Sequence, residues 1–512
     1  MKGLLMASAY FMGIDTGTFA SKGVLIDADA SVVAQSAVGH GMENPRPNFY
    51  EHDAEAVWWH DFCQISNELI SKSGIDPKEI GGVAASALGA DCLPVDEECN
   101  PLRKAILYGI DARALDQCRE LTEMYGETQI RAWFGRPLGS SDVMPKILWI
   151  KENEPDVHAR AHKFLTGSSY ITAKLTGEYY VDKFLGLASF NPLYGQDGRP
   201  DPRLCGPVCR PDQLAKVGET TDIAGCVTAK ASGETGLAEG TPVTVGTDDS
   251  GAEGISCGIG RLGDLMLQLG SSVYMFLVTD HLVSDDRIWR ERFIIPGTFD
   301  VSAGTNTAGT LTRWLRDTVF VDLKNAADAR GENAYAAMAR EAEDVPLGSD
   351  GLLCLPYFAG ERTPINDPDA RGAYFGLRLS HTRAHLCRAG LEGVAYSINQ
   401  HFRIFEEDGL PIRRVMAAGG GTKNPLWMQI VADVTGKEIA VPSIGIGASY
   451  GDAMMAAVGT GAWSGFDELA SKVRTGVTYK PDGDSCERYR EYQAVFDRLY
   501  PATKELMHEL RG

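Results

Sequence analysis

Short apolar runs alternate along the chain with polar, glycine-containing turns. Tyr10 to Ile14 and Gly23 to Asp27 read as two strands joined by the turn Asp15 to Lys22, a hairpin whose tip is free to face a ligand. Ala54 to Ser71 and Ala112 to Tyr125 carry helical spacing, whereas Gly81 to Ala87 and Pro242 to Gly246 read as short buried strands. Gly263 to Leu269 predicts a fresh strand, followed by a second hairpin turn at Gly270-Ser271-Ser272. Further on come a strand at Arg414 to Ala417, the run Gly419-Gly420-Gly421, a helix from Pro425 to Thr435 and a small-residue helix from Tyr450 to Val458. The stretch Asn191 to Pro211, dense in Pro, Gly and Asp, predicts an irregular excursion on the surface.

The picture is an α/β chain whose second half weakly echoes the first. At 512 residues it exceeds what one core supports, so two domains are expected. The boundary is placed near residues 250 to 262, giving domains 1–254 and 255–512. Hydrophobic content of 44% and charged content of 23% exclude disorder and fibrous repeats. A net charge of -20 argues against nucleic acid or an anionic membrane as partner. Eleven scattered cysteines with no CxxC pair point to a reducing compartment, so the expected location is the cytoplasm. Lys2 to Met12 superficially imitates a signal peptide, but Gly13-Ile14-Asp15 follows, and a buried first strand explains the run better.

Candidate chemistry collects at the turns. Asp15-Thr16-Gly17-Thr18 follows an apolar strand, where glycine admits a phosphate and threonine hydroxyls donate to it. Asp15 could orient the waters of a Mg²⁺ ion, and Lys22 could pair with a phosphate; an ordinary capped turn with a solvated lysine is the other reading. Gly270-Ser271-Ser272 offers a second such turn. Asp248-Asp249 follows the strand-like Val243 to Val245, which makes Asp249 a candidate general base, although paired aspartates also cap helices. Gly419-Gly420-Gly421 suits close approach to a base or ribose, with Asn424 as a hydrogen-bonding group or a helix cap. Gly258 to Gly263 matches GxGxxG but precedes a strand and opens no helix, so a dehydrogenase is poorly supported. Gly447-Ala448-Ser449-Tyr450-Gly451 matches the hydrolase elbow GxSxG without a clean strand before it, and reads as small residues permitting close helix packing. No GxxxxGK[ST] loop is present.

With these pieces in view the sequence resembles the FGGY carbohydrate kinases of the sugar kinase, Hsp70 and actin superfamily, over roughly residues 10 to 462. Lys146 to Asn153 fits most of one family signature, and Gly372 to Leu377 through Glu392 fits most of the other. Gly360 to Pro364 and Asp367 to Gly372 look most like xylulose kinases. The resemblance implies two actin-like, ribonuclease H-like α/β domains with a cleft between them, sugar on the N-terminal side and ATP with Mg²⁺ on the C-terminal side. By that resemblance Asp249 falls on the catalytic base, Asp15 to Lys22 on the first phosphate loop, and Gly270 to Ser272 on the second. Gly309 to Trp314, including Arg313, and the pair Gly420 and Asn424 fall on nucleotide-contacting positions. Asp111 and Arg113 look like the family's sugar-side Asp and Arg, with Asp91 beside them; the residues' own alternative is a helix N-terminus with its cap. Xylulose kinases carry a Met-His pair where this sequence has Gly89-Ala90. D-xylulose is the favoured substrate, with ribulose, erythritol, glycerol and gluconate as alternatives. A nucleotide-driven binding protein of the Hsp70 or actin type is the rival from another class, and a homodimer is an expectation of the resemblance.

Overall fold

The computed structural model describes residues 10–510; residues 2–9 of the apolar opening segment lie outside them. The chain folds as two units. One takes the residues up to Arg261 together with Glu291–Phe299 and Ile446–Val473; the other takes Leu262–Arg290, Asp300–Gly445 and Arg474 onward.

The first unit is built on a mixed sheet of β1 (Tyr10–Thr16), β2 (Ala20–Asp27), β3 (Val32–Gly39), β4 (Ile80–Ala87), β5 (Ile223–Cys226) and β6 (Pro242–Thr244), in the order β5-β6-β4-β1-β2-β3. β1, β2 and β3 form an antiparallel meander, and β4 runs parallel to β1, setting Asp15 beside Ser86 in the register. All eight residues of β4 are buried, as a strand covered on both faces requires. Two helices matter for the site: α1 (His60–Ser73) and α2 (Asp249–Ser256). α1 ends at Gly74 in the left-handed region and is preceded by a π-turn, Ala54–Trp59, capped by Asp53.

The second unit repeats the scheme. The strands of the second sheet are β7 (Asp264–Leu269), β8 (Val273–Thr279), β9 (Trp289–Arg292), β10 (Phe299–Thr305), β11 (Arg414–Ala418), β12 (Ile439–Pro442) and β13 (Thr475–Tyr479). Their order is β9-β10-β8-β7-β11-β12-β13, so a hairpin followed by parallel neighbours recurs as in the first sheet. Helices α3 (Gly309–Thr318), α4 (Ala334–Glu343), α5 (Arg383–Glu407) and α6 (Pro425–Thr435) belong to this unit, and α7 (Ala448–Gly459) returns to the first.

Each unit buries its own core. Leu25, Phe62 and Val83 are wholly inaccessible in the first, and Leu267, Val301 and Val431 in the second. Burying each such side chain stabilises its unit by about 1.5–3 kcal/mol before conformational entropy is set against it.

Two sequence expectations need refining. The stretch 191–211 is irregular, with a cis bond at Asn191-Pro192, and exposes Gln196, Asp197, Arg199 and Arg203, but it is anchored to the unit by buried Leu193, Tyr194, Cys205 and Val208. Proline and glycine density reports backbone irregularity and says nothing of such anchors. The helix expected from Ala112 begins at Leu115, because Asp111 and Arg113 are locked in an ion pair ahead of it. Among the described residues no helix is long and apolar enough to cross a membrane.

Candidate active site

Around the first hairpin the structure gathers carboxylates. Asp15, near the end of β1, is 8% exposed, and Ser86 Oγ lies 3.1 Å from its Oδ1. Burial pushes the Asp15 carboxyl up to about 7; Ser86 and Lys22 pull it down, and the charges of Glu253 and Asp248 push it further up. Lys22 is exposed on β2, in register with Asp15. Thr16 Oγ1 is buried without a hydrogen-bond partner.

The turn itself is Gly17-Thr18-Phe19, closed by the Gly17 amide donating to the Ala20 carbonyl at 3.1 Å. Two histidines hold its carbonyls from outside. His40 Nε2 donates to Gly17 O at 3.0 Å while its Nδ1 donates to Asp61 at 2.8 Å, so both ring nitrogens carry protons. Burial opposes that charge, but the Asp61 and Gly17 hydrogen bonds outweigh it and hold the His40 pKa above its ordinary value. His52 Nε2 donates to Thr18 O at 3.2 Å and its Nδ1 accepts from Trp58; burial, then the neighbouring His40, drives it down to about 4. The two histidines thus tie back the carbonyls of Gly17 and Thr18, which keeps those oxygens from facing an anion at the turn.

Asp248 and Asp249 divide their tasks. Asp248 caps α2: its Oδ1 accepts from Gly251 N at 2.9 Å and its Oδ2 from Ser250 Oγ at 2.6 Å. Asp249, the first helical residue, is half-buried, and burial followed by the charges of Asp248, Asp15 and Asp91 raises its pKa well above the carboxylate range. Gly89 and Ala90 follow β4, and a Cβ on Gly89 would sit 3.6 Å from Asp248 Cβ. Asp91 is fully buried; Oδ1 accepts from Tyr108 N at 2.8 Å and Oδ2 has no partner. Burial lifts it to about 7 against the pull of Lys146, whose Nζ donates to Ala90 O at 2.6 Å.

Asp111 and Arg113 are engaged with each other. Arg113 Nε meets both Asp111 oxygens at 2.9 Å, and Tyr50 N and Arg113 N donate to the same carboxylate. Arg113 also reaches Glu51 at 2.7 Å and lies over the Phe49 ring. Neither caps the following helix, whose N-cap is Ala114.

The second unit contributes a cavity of about 550 Å³. Gly270, Ser271, Gly309, Arg313, Gly420 and Asn424 all line it, so six residues named from sequence meet on one surface. Ser272 is in the same turn but is not part of the lining. Ser271 O accepts from Ala308 N and Thr310 N, both at 3.0 Å, and Gly270 O from Gly309 N at 3.0 Å, which ties the second hairpin to the start of α3. A Cβ on Gly309 would lie 2.5 Å from Gly270 O, so only glycine admits this approach. Asn424 does cap α6, accepting from Trp427 N at 3.2 Å, while still facing the cavity. The apolar lining includes Tyr335, Met338, Leu391 and Trp427. Nothing in the sequence marks these four, nor His40 and His52, because ordinary helical and strand patterning accounts for them.

The comparisons with known proteins bear on these two surfaces together. The model for the N-terminal domain of the FGGY family of carbohydrate kinases matches residues 10–255, and the model for its C-terminal domain matches residues 265–460. The chain belongs to the FGGY family. It is a carbohydrate kinase of two actin-like α/β domains, of a family that phosphorylates sugars with ATP. A xylulose kinase from Bacillus subtilis is 27% identical over 517 residues, covering 98% of this chain and 99% of the relative. A gluconokinase from the same organism is also 27% identical, over 500 residues and 96% of each chain. The crystal structure of xylulose kinase from Rhodospirillum rubrum superimposes with a TM-score of 0.87 at 30% identity, covering 98% of this chain and all of that one.

Proposed function

We propose that this FGGY kinase phosphorylates a neutral ketose, D-xylulose first among the candidates, with Asp249 as general base. The observation that carries the reading is the charge around Asp249: Asp15, Asp91 and Asp248 all act on it. Three cations of this unit are committed, Arg113 to Asp111 and Glu51, Arg136 to Asp142 through two 2.9 Å bonds, and Lys146 to the Ala90 carbonyl, which leaves Lys22, opposite Asp15, for the phosphate side. A neutral polyhydroxy ligand fits such a surface, whereas an aldonate would set its carboxylate among like charges. A carboxylate whose pKa stands high is also a better proton acceptor for a sugar hydroxyl near neutral pH.

The nucleotide would lie in the second unit's cavity, its base against Tyr335, Met338 and Trp427 and its phosphates toward Gly270, Ser271 and Gly309. Asp15 to Lys22 would face the transferred phosphoryl group. Mg²⁺ carried with ATP supplies charge neutralisation at the phosphate oxygens. Among the described residues no three His, Cys, Asp or Glu side chains form a cation cage. Asp15, with Oδ1 engaged by Ser86, would accordingly hold the ion through water from its other oxygen. Gluconate is the second reading, favoured by the equal identity to a gluconokinase.

A coupled ADP-release assay with Mg-ATP against xylulose, ribulose, erythritol, glycerol and gluconate tests this. Stimulation by a neutral sugar with none by gluconate supports the proposal; gluconate alone overturns the substrate class, and ATP turnover indifferent to every sugar revives the nucleotide-driven binding protein.

A further inference from the structure

The helix opened by Gly447-Ala448-Ser449-Tyr450-Gly451 carries an acid that phosphoryl chemistry has not claimed. α7 lies directly on β1 and α2: a Cβ on Gly13 would fall 2.1 Å from Ser449 O, and a Cβ on Gly451 would fall 1.9 Å from Ala252 O. That close packing delivers Asp452 beneath the phosphate hairpin with no exposure at all. Its Oδ2 is 2.7 Å from Ser86 Oγ, the same hydroxyl that lies 3.1 Å from Asp15 Oδ1.

A serine hydroxyl has one proton and here faces two carboxyl groups. Both contacts are hydrogen bonds only if one carboxyl is itself protonated and donates to Ser86 Oγ. Asp452 is the better candidate on geometry. Its Oδ1 is buried with no hydrogen-bond partner, which is tolerable for the carbonyl oxygen of an acid and severe for half of a carboxylate. Asp15 has Lys22 opposite it in the hairpin and is not fully buried. Burial and the Asp15 charge raise the Asp452 pKa well above its ordinary value, outweighing the pull of the Ser86 hydroxyl and amide that favour the charged form.

We propose that Asp452 is a positioning residue for Asp15: as a neutral acid it donates to Ser86 Oγ, which directs the Ser86 hydroxyl proton onto Asp15 Oδ1 and fixes Oδ2 toward the Gly17 turn. The chain Asp452, Ser86, Asp15 then has one direction. The role assigned to Asp15 rests on the kinase reading above; the protonation of Asp452 does not.

Two measurements test the proposal separately. The infrared difference spectrum of the apoprotein minus Asp452→Asn should contain the carbonyl stretch of a protonated carboxylic acid, and its absence overturns the proposal whatever the enzyme's substrate. In kinetics with an accepted sugar, Asp452→Asn retains a donor to Ser86 and should keep wild-type Mg²⁺ dependence. Asp452→Ala and Ser86→Ala should each raise the Mg²⁺ half-saturation about tenfold with sugar KM unchanged, as loss of one hydrogen bond to a charged group predicts. Asp452→Ala added to Ser86→Ala should do no further harm. An Asn variant as impaired as the Ala variant, or an Ala variant indistinguishable from wild type, overturns it. If Asp452→Ala fails to fold, the infrared band and the Ser86→Ala and Asp452→Asn pair decide.

Discussion

The two units use one sheet order to solve opposite problems. In the first, the position before the hairpin's last residue pair is Asp15, in register with Ser86 on β4; in the second it is Gln268, in register with Ala418 on β11. The first unit thus gathers carboxyl groups near its turn, Asp15 and Asp91 buried and Asp249 half-buried, whose pKa values are displaced upward. The second sets its turn at a cavity that glycines and apolar side chains line beside Arg313, Arg340, Glu343 and Lys423. A surface built on charge fails when a charge is removed without changing shape. A surface built on close approach fails when a methyl group is added without changing charge.

The sharpest way to break this contrast is the isosteric change Asp249→Asn. It should lower kcat about a thousandfold while leaving KM for ATP unchanged, the loss expected when a general base is removed. Steady-state kinetics at saturating sugar decide it, and near-normal turnover would remove Asp249 from the chemistry. The counterpart is Gly309→Ala, whose Cβ would meet Gly270 O at 2.5 Å. Overpacking of that kind should raise KM for ATP about tenfold with little change in sugar KM. An effect on sugar KM instead would mean that the cavity is not the nucleotide's.

What could be read from the sequence follows the same division. β1, β2, β7, β11 and α6 were legible because apolar periodicity and turn residues are local signals. Asp15, Asp249 and the glycine turns could be singled out as candidates because each follows an apolar, strand-like run. Asp452 was hidden inside a helix of small residues, and its meaning depends on Ser86, 366 positions away. His40 and His52 were likewise silent, since their partners are backbone carbonyls that no pattern announces. The Asp111 and Arg113 pair was visible as residue types, but its mutual saturation is a matter of geometry. The buried anchors within 191–211, Leu193, Tyr194, Cys205 and Val208, went unread because they follow no regular period.

The smallest effect discriminates most finely, because it separates the charge around Asp249 from its shape. A general base works as the carboxylate, so kcat/KM should fall as pH drops through the Asp249 pKa. That pKa is raised by burial and next by Asp248, so the acid limb should lie above the ordinary carboxylate value of about 4. Asp248→Asn keeps the side-chain oxygen that caps Gly251 N but removes the adjacent charge. The carboxylate of Asp249 then forms more easily, and the acid limb should move to lower pH. Gly309→Ala, which adds no charge and lies in the other unit, should leave the limb where it is. A pH profile of kcat/KM for the three proteins checks this: an upward shift in Asp248→Asn would show that Asp248 serves as a hydrogen-bonding support for the Asp249 carboxylate, and an equal shift in Gly309→Ala would dissolve the distinction between the two surfaces.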